Sequence, residues 1–209
     1  MQPFFSVIIT TYNRASLLTR ALDALLRQTE TDWEAHVIDD GSTDNTQAMV
    51  FPYTEKATIF YHRNMHNKGY VHAMNRGFGK ANGKYITILD SDDEYEDFHL
   101  ESRKKILLEN DGLTFLYGGV KIIGSLFVPD RFDTGRQIHL SECVIGGTFF
   151  FTKALAEELK GFKDISYGSD ADFFDRVLQS KAVIMKTDIP SYIYHREEMN
   201  SITHNLSNQ

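Results

Sequence analysis

The stretch Tyr85–Asp97, YITILDSDDEYED, decides how the rest of this chain is read. Tyr85 to Leu89 is a short apolar, β-branched run of the kind that forms a strand buried on both faces. It stops at Asp90-Ser91-Asp92-Asp93, and Glu94, Glu96 and Asp97 follow, so six carboxylates fall within eight residues at the end of a buried strand. Like charges this close raise one another's pKa values unless a cation sits among them. Hard divalent ions such as Mg²⁺ or Mn²⁺ suit carboxylate oxygens and in turn hold phosphate oxygens. In open α/β sheets, ligands collect beyond the carboxyl ends of strands. An acidic, solvated start to a helix over Phe98–Glu109, with Asp97 or neighbouring acids complementing its dipole, accounts for the same residues. Taken alone, the stretch supports both readings equally.

The bulk properties narrow the choice. A chain of 209 residues fits one large domain or two small ones and can bury a real core. Its hydrophobic content of 42% and charged content of 24% are those of an ordinary globular protein. The formal net charge of −7 argues against a nucleic-acid groove, which needs a clustered basic surface. Cys143 is the single cysteine, so an intramolecular disulfide and a thiol zinc cluster are both excluded, and a reducing compartment is expected. The opening MQPFFSVIITTYNR has no basic region followed by a long apolar segment, so a signal peptide is not expected. No window approaches the ~20 apolar residues of a membrane span, which leaves only peripheral attachment open.

In chain order, Phe4–Thr11 reads as another buried strand, followed by a helix over about Leu17–Arg27 with Ser16 as its N-cap. Glu34–Ile38 is a strand that also ends in acids, Asp39 and Asp40. Gly41-Ser42-Thr43-Asp44 then turns the chain into a short helix capped by Ser42 or Asp44. Thr58–Tyr61 is a third strand, Asn64–Gly69 a loop, and Tyr70–Ala81 a helix. The alternation predicts a mostly parallel sheet with helices on both faces. No G-x-G-x-x-G follows the first strand and no G-x-x-x-x-G-K-[ST] occurs, so dehydrogenase and P-loop readings lose their support.

The second half changes character. Leu113–Tyr117 and Lys121–Phe127 read as an antiparallel pair around Gly118-Gly119, and Pro129–Gly135 as a polar loop suited to a flexible lid. The glycine pair in Val144–Thr152 suggests close approach of a ligand to the backbone. A short helix over Leu155–Leu159 ends at Gly161, and a longer one over Ser169–Ser180 starts in a capping-box-like Ser169…Asp172 pair. Ala182–Lys186 is the expected last strand, and Tyr192–Gln209 a polar tail. With no repeats and no linker, a single domain is the simplest reading.

Several stretches now fall in one order: VIITTYNR (Val7–Arg14), VIDDGSTDNT (Val37–Thr46), NKG (Asn67–Gly69), LDSDD (Leu89–Asp93), GGTFFF (Gly146–Phe151) and GSDADFF (Gly168–Phe174). Together they resemble the family-2 glycosyltransferases of the GT-A fold, over about Phe4 to Arg176. The resemblance implies a Rossmann-like mixed α/β domain spanning 1–209, with a nucleotide-sugar-binding half (1–97) and an acceptor-binding half (98–209). It implies an inverting transferase that takes a nucleotide-diphosphate sugar, a UDP-sugar in the usual case, and serves polysaccharide biosynthesis on a glycan or lipid-linked glycan acceptor. A cytoplasmic location, with attachment at the inner face of the membrane left open, goes with that role. A non-catalytic nucleotide-sugar-binding module and a nucleotidyltransferase are the competing readings; TTYNRAS lacks the basic, Gly-rich phosphate loop that the latter needs.

Site residues follow from the same resemblance. Thr10, Thr11, Tyr12, Asn13 and Asp40 correspond to nucleoside contacts, although Asp40 before a glycine is also an ordinary turn residue. Asp39 is more simply a brace for its loop. Asp90, Ser91 and Asp92 correspond to the D-x-D element, Asp92 on a Mn²⁺ or Mg²⁺ ion and Asp90 near the ribose, with Asp93 supporting either. Asp170 corresponds to the general base, and the helix dipole is expected to keep it ionised. Ser169 stands where the family has a glutamate, which bears on how an acceptor is placed. Lys68 is a candidate phosphate contact and a candidate surface lysine. His195 is a candidate metal ligand, although a lone histidine is more often structural or exposed. His62, His66 and His72 have no metal-ligand spacing, Cys143 reads as a small buried residue, and Phe149–Phe151 as core with one ring available to an acceptor sugar.

Overall fold

Strands rich in apolar and β-branched residues are covered on both faces, and Phe5–Thr11, Trp33–Asp39 and Tyr85–Ile88 are buried throughout. The computed structural model describes residues 2–197. Strand β1 (Phe5–Thr11), helix α1 (Ala15–Leu26), β2 (Trp33–Asp39), α2 (Thr46–Thr54), β3 (Ile59–Arg63), α3 (Tyr70–Lys80) and β4 (Tyr85–Ile88) alternate as expected. The two-residue β5 (Glu94–Tyr95) and α4 (His99–Glu109) come next, then β6 (Phe115–Tyr117), β7 (Val120–Gly124), β8 (Phe127–Pro129) and β9 (Gln137–His139). The chain continues through β10 (Phe150–Thr152), α5 (Lys153–Glu158), α6 (Ser169–Gln179), β11 (Ile184–Lys186) and β12 (Tyr192–Arg196).

Seven strands form the main sheet in the order β11-β6-β10-β4-β1-β2-β3. Every pairing in it is parallel except those of β10, which runs against both β4 and β6. Side chains alternate across each strand, and the two faces bury separate cores. Val7, Ile9 and Val37 pack with Leu18, Leu22 and Leu25 of α1 and Leu100 of α4. Ile8, Ile38, Ile86 and Ile88 pack on the other face with Met74 and Phe78 of α3 and Phe173 and Val177 of α6. Phe149, Phe150 and Phe151 are all fully buried, so the three rings belong to these cores and none faces a sugar. No described helix is long and apolar enough to cross a membrane.

Several local expectations are corrected. Helix α1 starts at Ala15, and its first N–H is met by Asp44 Oδ2 at 3.1 Å rather than by Ser16. The same Asp44 accepts the Thr46 N–H at 3.0 Å, so one carboxylate serves the ends of two helices, α1 and α2. Helix α6 is entered through Gly168 in the left-handed region (φ 75°), and Ser169 caps nothing. Asp172 pairs with Arg176 instead, at 2.8 Å. The segments around Gly118-Gly119 do not form a hairpin: β6 joins the main sheet, while β7 enters a three-stranded sheet ordered β5-β12-β7. The buried Arg103 fixes that divergence by donating to the carbonyls of Gly118 and Ile189, both at 3.0 Å. Strand β12 lies in what reads as tail, its apolar signal cut to three residues by its polar neighbours; 198–209 lie outside the described residues.

Candidate active site

Strand order reverses at β1, whose neighbours are β2 on one side and β4 on the other. Ligands bind beyond the carboxyl ends of strands at such a switch point. Register places Ile8 opposite Ile88, so Thr10 and Asp90 leave the sheet side by side. A cleft of about 890 Å³ opens there. The acidic turn Asp90–Asp93 lines it together with Tyr70 and Val71 from α3, Ser169 and Asp170 from α6, and Tyr194 and His195 from β12. The β8–β9 hairpin adds Val128, Pro129, Phe132 and Ile138.

Of the residues singled out from sequence, the cleft brings together Thr10, Asp90, Ser91, Asp92, Asp170 and His195. Thr11, Tyr12, Asn13, Asp40 and Lys68 lie off its walls, along the ends of β1 and β2. Thr11 is buried there, its Oγ1 without a hydrogen-bond partner among the described residues. Tyr12 is exposed. Asn13 is in the left-handed region (φ 53°), its N–H donating to Ser42 Oγ at 2.9 Å and its Oδ1 accepting the Thr43 N–H at 2.7 Å. Asp40 accepts from Asn64 Nδ2 (2.6 Å), Lys68 N (2.9 Å) and Gly69 N (2.7 Å), which makes it the brace of the loop before α3. Lys68 enters this network through its backbone. Asp39 braces its own turn, accepting from Ser42 N at 2.7 Å and from the Tyr61 hydroxyl.

The acidic stretch divides at Glu94. Downstream, Glu94 meets His195 Nε2 at 2.9 Å, Glu96 meets Lys121 at 3.3 Å, and Asp97 meets Arg27 at 3.1 Å. Only this part is a solvated, charge-paired helix approach. Upstream, Asp92 and Asp93 are buried. Burial, followed by the charges of Asp92 and Asp170, pushes the Asp90 carboxyl up to about 7. Burial and the charges of Asp90 and Asp92 likewise raise Asp93 well above the carboxylate range. Asp93 accepts from the Tyr192 hydroxyl at 2.6 Å and from His195 N at 2.8 Å, so it anchors β12 to the turn.

Asp92 Oδ2 accepts from Arg14 Nη1 at 2.8 Å, and its backbone carbonyl accepts from Arg20. Among the described residues, no three His, Cys, Asp or Glu side chains are placed to hold a metal together, so Asp92 and His195 do not form a ready-made cage. The donor set nonetheless suits Mg²⁺ or Mn²⁺, which keep waters and phosphate oxygens and take one or two carboxylates from the protein. The Arg14 guanidinium is a stand-in cation on the carboxylate that would serve.

Asp170 Oδ1 accepts the Ala171 N–H at 2.9 Å and Oδ2 the Gly146 N–H at 3.1 Å. Burial raises its pKa, against the lowering by these N–H groups and by Arg131. Desolvation thus outweighs the helix N-terminus and makes Asp170 a stronger base than an ordinary carboxylate. The glycine pair also has another purpose than ligand approach. A Cβ on Gly146 would stand 2.9 Å from Asp170 Cβ, and one on Gly147 would stand 2.1 Å from the Tyr192 hydroxyl.

Residues 6–134 match the family model for glycosyl transferase family 2. The chain belongs to glycosyl transferase family 2. Within this family it is 32% identical to UDP-Glc:alpha-D-GlcNAc-diphosphoundecaprenol beta-1,3-glucosyltransferase WfgD of Escherichia coli, over 68% of this chain and 56% of WfgD. S. aureus TarS 1–349 in complex with UDP-GlcNAc superposes with a TM-score of 0.78 at 23% identity, covering 95% of this chain and 60% of that one. Mannosyltransferase PcManGT from Pyrobaculum calidifontis, in complex with GDP-Man and Mn²⁺, superposes with a TM-score of 0.73 at 22% identity, covering 92% of this chain and 57% of that one. These two likenesses establish the GT-A fold. The chain spans about three-fifths of the length of WfgD, of TarS 1–349 and of the PcManGT chain.

Two residues that line this cleft, Arg14 and Tyr70, escaped sequence reasoning. Arg14 was visible in VIITTYNR, and a lone basic residue following the first strand was the available signal. Tyr70, whose hydroxyl pKa is raised well above its ordinary value by burial and by Asp90, Asp170 and Asp92, gave no signal, because its proximity to those acids arises only on folding.

Proposed function

We propose that this chain is the catalytic domain of an inverting glycosyltransferase moving a sugar from a nucleotide-diphosphate sugar to an acceptor hydroxyl. One observation carries the reading: Asp92 and Asp170, from the end of β4 and the head of α6, face the same cleft. Asp170 takes the proton of the acceptor hydroxyl as its oxygen bonds to the anomeric carbon and the bond to the diphosphate breaks. The raised basicity of Asp170 suits that step. Asp92 would hold the divalent cation with Asp90 on the ribose side, and Thr10, Ser91 and the β1 and β2 ends would hold the nucleoside. When bound, that cation supplies positive charge to the departing diphosphate without a proton transfer.

WfgD uses UDP-Glc by its name and TarS was seen with UDP-GlcNAc, which supports a UDP-sugar donor. PcManGT with Mn²⁺ supports a divalent ion of that kind. The wall formed by the β8–β9 hairpin, α6 and the loop before α6 is amphipathic, exposing Phe132, Ile165 and Leu178 among charged residues such as Arg131 and Asp175. That character, with the diphosphoundecaprenol acceptor in WfgD's name, supports a lipid-linked glycan acceptor met at the inner face of the membrane.

The test is turnover of UDP-sugars in Mn²⁺, read as UDP release, beside calorimetric affinity for UDP with Mn²⁺. Asp170→Asn is expected to keep that affinity and lose about 10²–10⁴-fold in rate. Asp92→Ala is expected to lose metal-dependent UDP affinity. Donor binding without turnover in the unaltered chain would replace this reading with a binding module. Normal turnover by Asp170→Asn would move the base elsewhere.

A further inference from the structure

We infer that Arg14 is an exchangeable counter-ion for Asp92. It holds the carboxylate before the donor arrives and passes to the diphosphate once the nucleotide and its cation bind. The inference rests on the assignment of Asp92 to the divalent cation. Arg14 and Asp92 pair at 2.8 Å with side chains only 21% and 12% exposed, and both line the cleft. The turn that aims Arg14 is rigid: Asn13 is fixed by Ser42 and Thr43, and Ala15 N is fixed by Asp44. The acidic turn has a second clasp that does not use the Asp92 carboxylate, since Arg20 donates to the Asp92 backbone carbonyl. Asp92 therefore stays in place when Arg14 leaves its side chain. A hold on the Asp92 backbone that does not depend on its carboxylate is what an exchangeable pair requires.

A guanidinium and a divalent ion cannot both sit against one carboxylate oxygen without like-charge repulsion. Arg14 thus lowers the fraction of protein ready to take a cation, and apparent affinity falls by that fraction. A diphosphate offers Arg14 a replacement partner of greater charge, with the bidentate geometry that a guanidinium prefers. Cation and nucleotide then bind with positive coupling, each raising the other's affinity by the same factor.

The experiment measures Mn²⁺ binding by electron paramagnetic resonance with and without UDP, in the unaltered chain, Arg14→Met, Arg14→Gln and Asp92→Asn, each checked by thermal melting. In both Arg14 variants, Mn²⁺ alone is expected to bind about fivefold or more tightly, while UDP in saturating Mn²⁺ binds more weakly. The Mn²⁺–UDP coupling shrinks accordingly. Unchanged or weaker binding of Mn²⁺ alone, in whichever Arg14 variant folds, overturns the inference. Asp92→Asn separates the two assignments. If it weakens Mn²⁺–UDP binding while the Arg14 variants leave Mn²⁺ binding unchanged, only the role of Arg14 falls. If it changes nothing, the assignment of the cation to Asp92 falls as well.

Discussion

Asp170 and Gly146 are in mutual contact: the Gly146 N–H donates to Asp170 Oδ2 at 3.1 Å, and a Cβ added to Gly146 would reach to 2.9 Å from Asp170 Cβ. The orientation of the proposed base is thereby set from outside its own helix, by the connection that leads into β10. Gly146→Ala is expected to push Asp170 off its N–H partner while leaving the donor side of the cleft intact. Steady-state turnover should fall at least about tenfold, since a displacement near 1 Å costs that much or more, with UDP–Mn²⁺ affinity unchanged. Equal loss of both would show that Gly146 supports the whole cleft rather than the base.

Tyr192 and Asp93 tie β12 to the acidic turn. Tyr192→Phe leaves a buried carboxyl group with one fewer donor, a loss of about 1–3 kcal/mol. Gly147→Ala should cost more, because the added methyl overlaps the fully buried Tyr192 ring, which has nowhere to go. Urea unfolding ranks the two variants, and Gly147→Ala as the milder would contradict the packing.

As acid is added, two groups should destabilise the domain in two stages, against the stability that protonation of the raised Asp90 adds as pH falls through about 7. Burial, then the charges of His36, Lys80 and Arg76, depress His62 from its ordinary 6.5 to about 4. The unfolded chain therefore takes up a proton that the folded one resists, and stability present above pH 6.5 is lost as pH falls toward about 4. Glu34 follows below its ordinary 4.5: burial would raise it, but Ser6, Asn82 and His36 together hold it lower. Its contribution is present above that value and lost as pH falls through the depressed one. His62→Gln should flatten the first stage of the denaturation midpoint against pH and spare the second. A profile identical to that of the unaltered chain would remove His62 from the account.

Arg103 joins α4 to the chain segment that leads into β12. Arg103→Met keeps the apolar stem but abandons the Gly118 and Ile189 carbonyls, with an expected cost of about 2–4 kcal/mol. Because those carbonyls flank the entry to β12, His195 and Tyr194 should lose order with it. Faster amide exchange across Tyr192–Arg196 than in β1 checks this, and uniform exchange across both strands would sink it.

The parallel sheet was legible because a strand covered on both faces needs a run that is mostly apolar or β-branched, and Phe5–Ile9, Ala35–Ile38 and Tyr85–Leu89 supply one each, with Ser6, His36 and Thr87 their only polar members. The acidic turn after Leu89 was legible for a related reason: carboxylates at the end of a buried strand have one edge of the sheet to occupy. The order of the motifs carried the family. Folding alone set Arg14 against Asp92, 78 residues away, and Tyr192 against Asp93, 99 residues away, because such contacts depend on strand order and register rather than on local pattern. It also chose between the two readings of the acidic stretch, assigning each to a different part. Asp90 to Asp93 turn inward where β1 and β4 diverge, while Glu96 and Asp97 remain near solvent with cations of their own. Basicity was decided at the same level. Asp170 is raised above an ordinary carboxylate by the walls around it, and the burial that does so comes from α6 closing on residues that no spacing along the chain could have brought together.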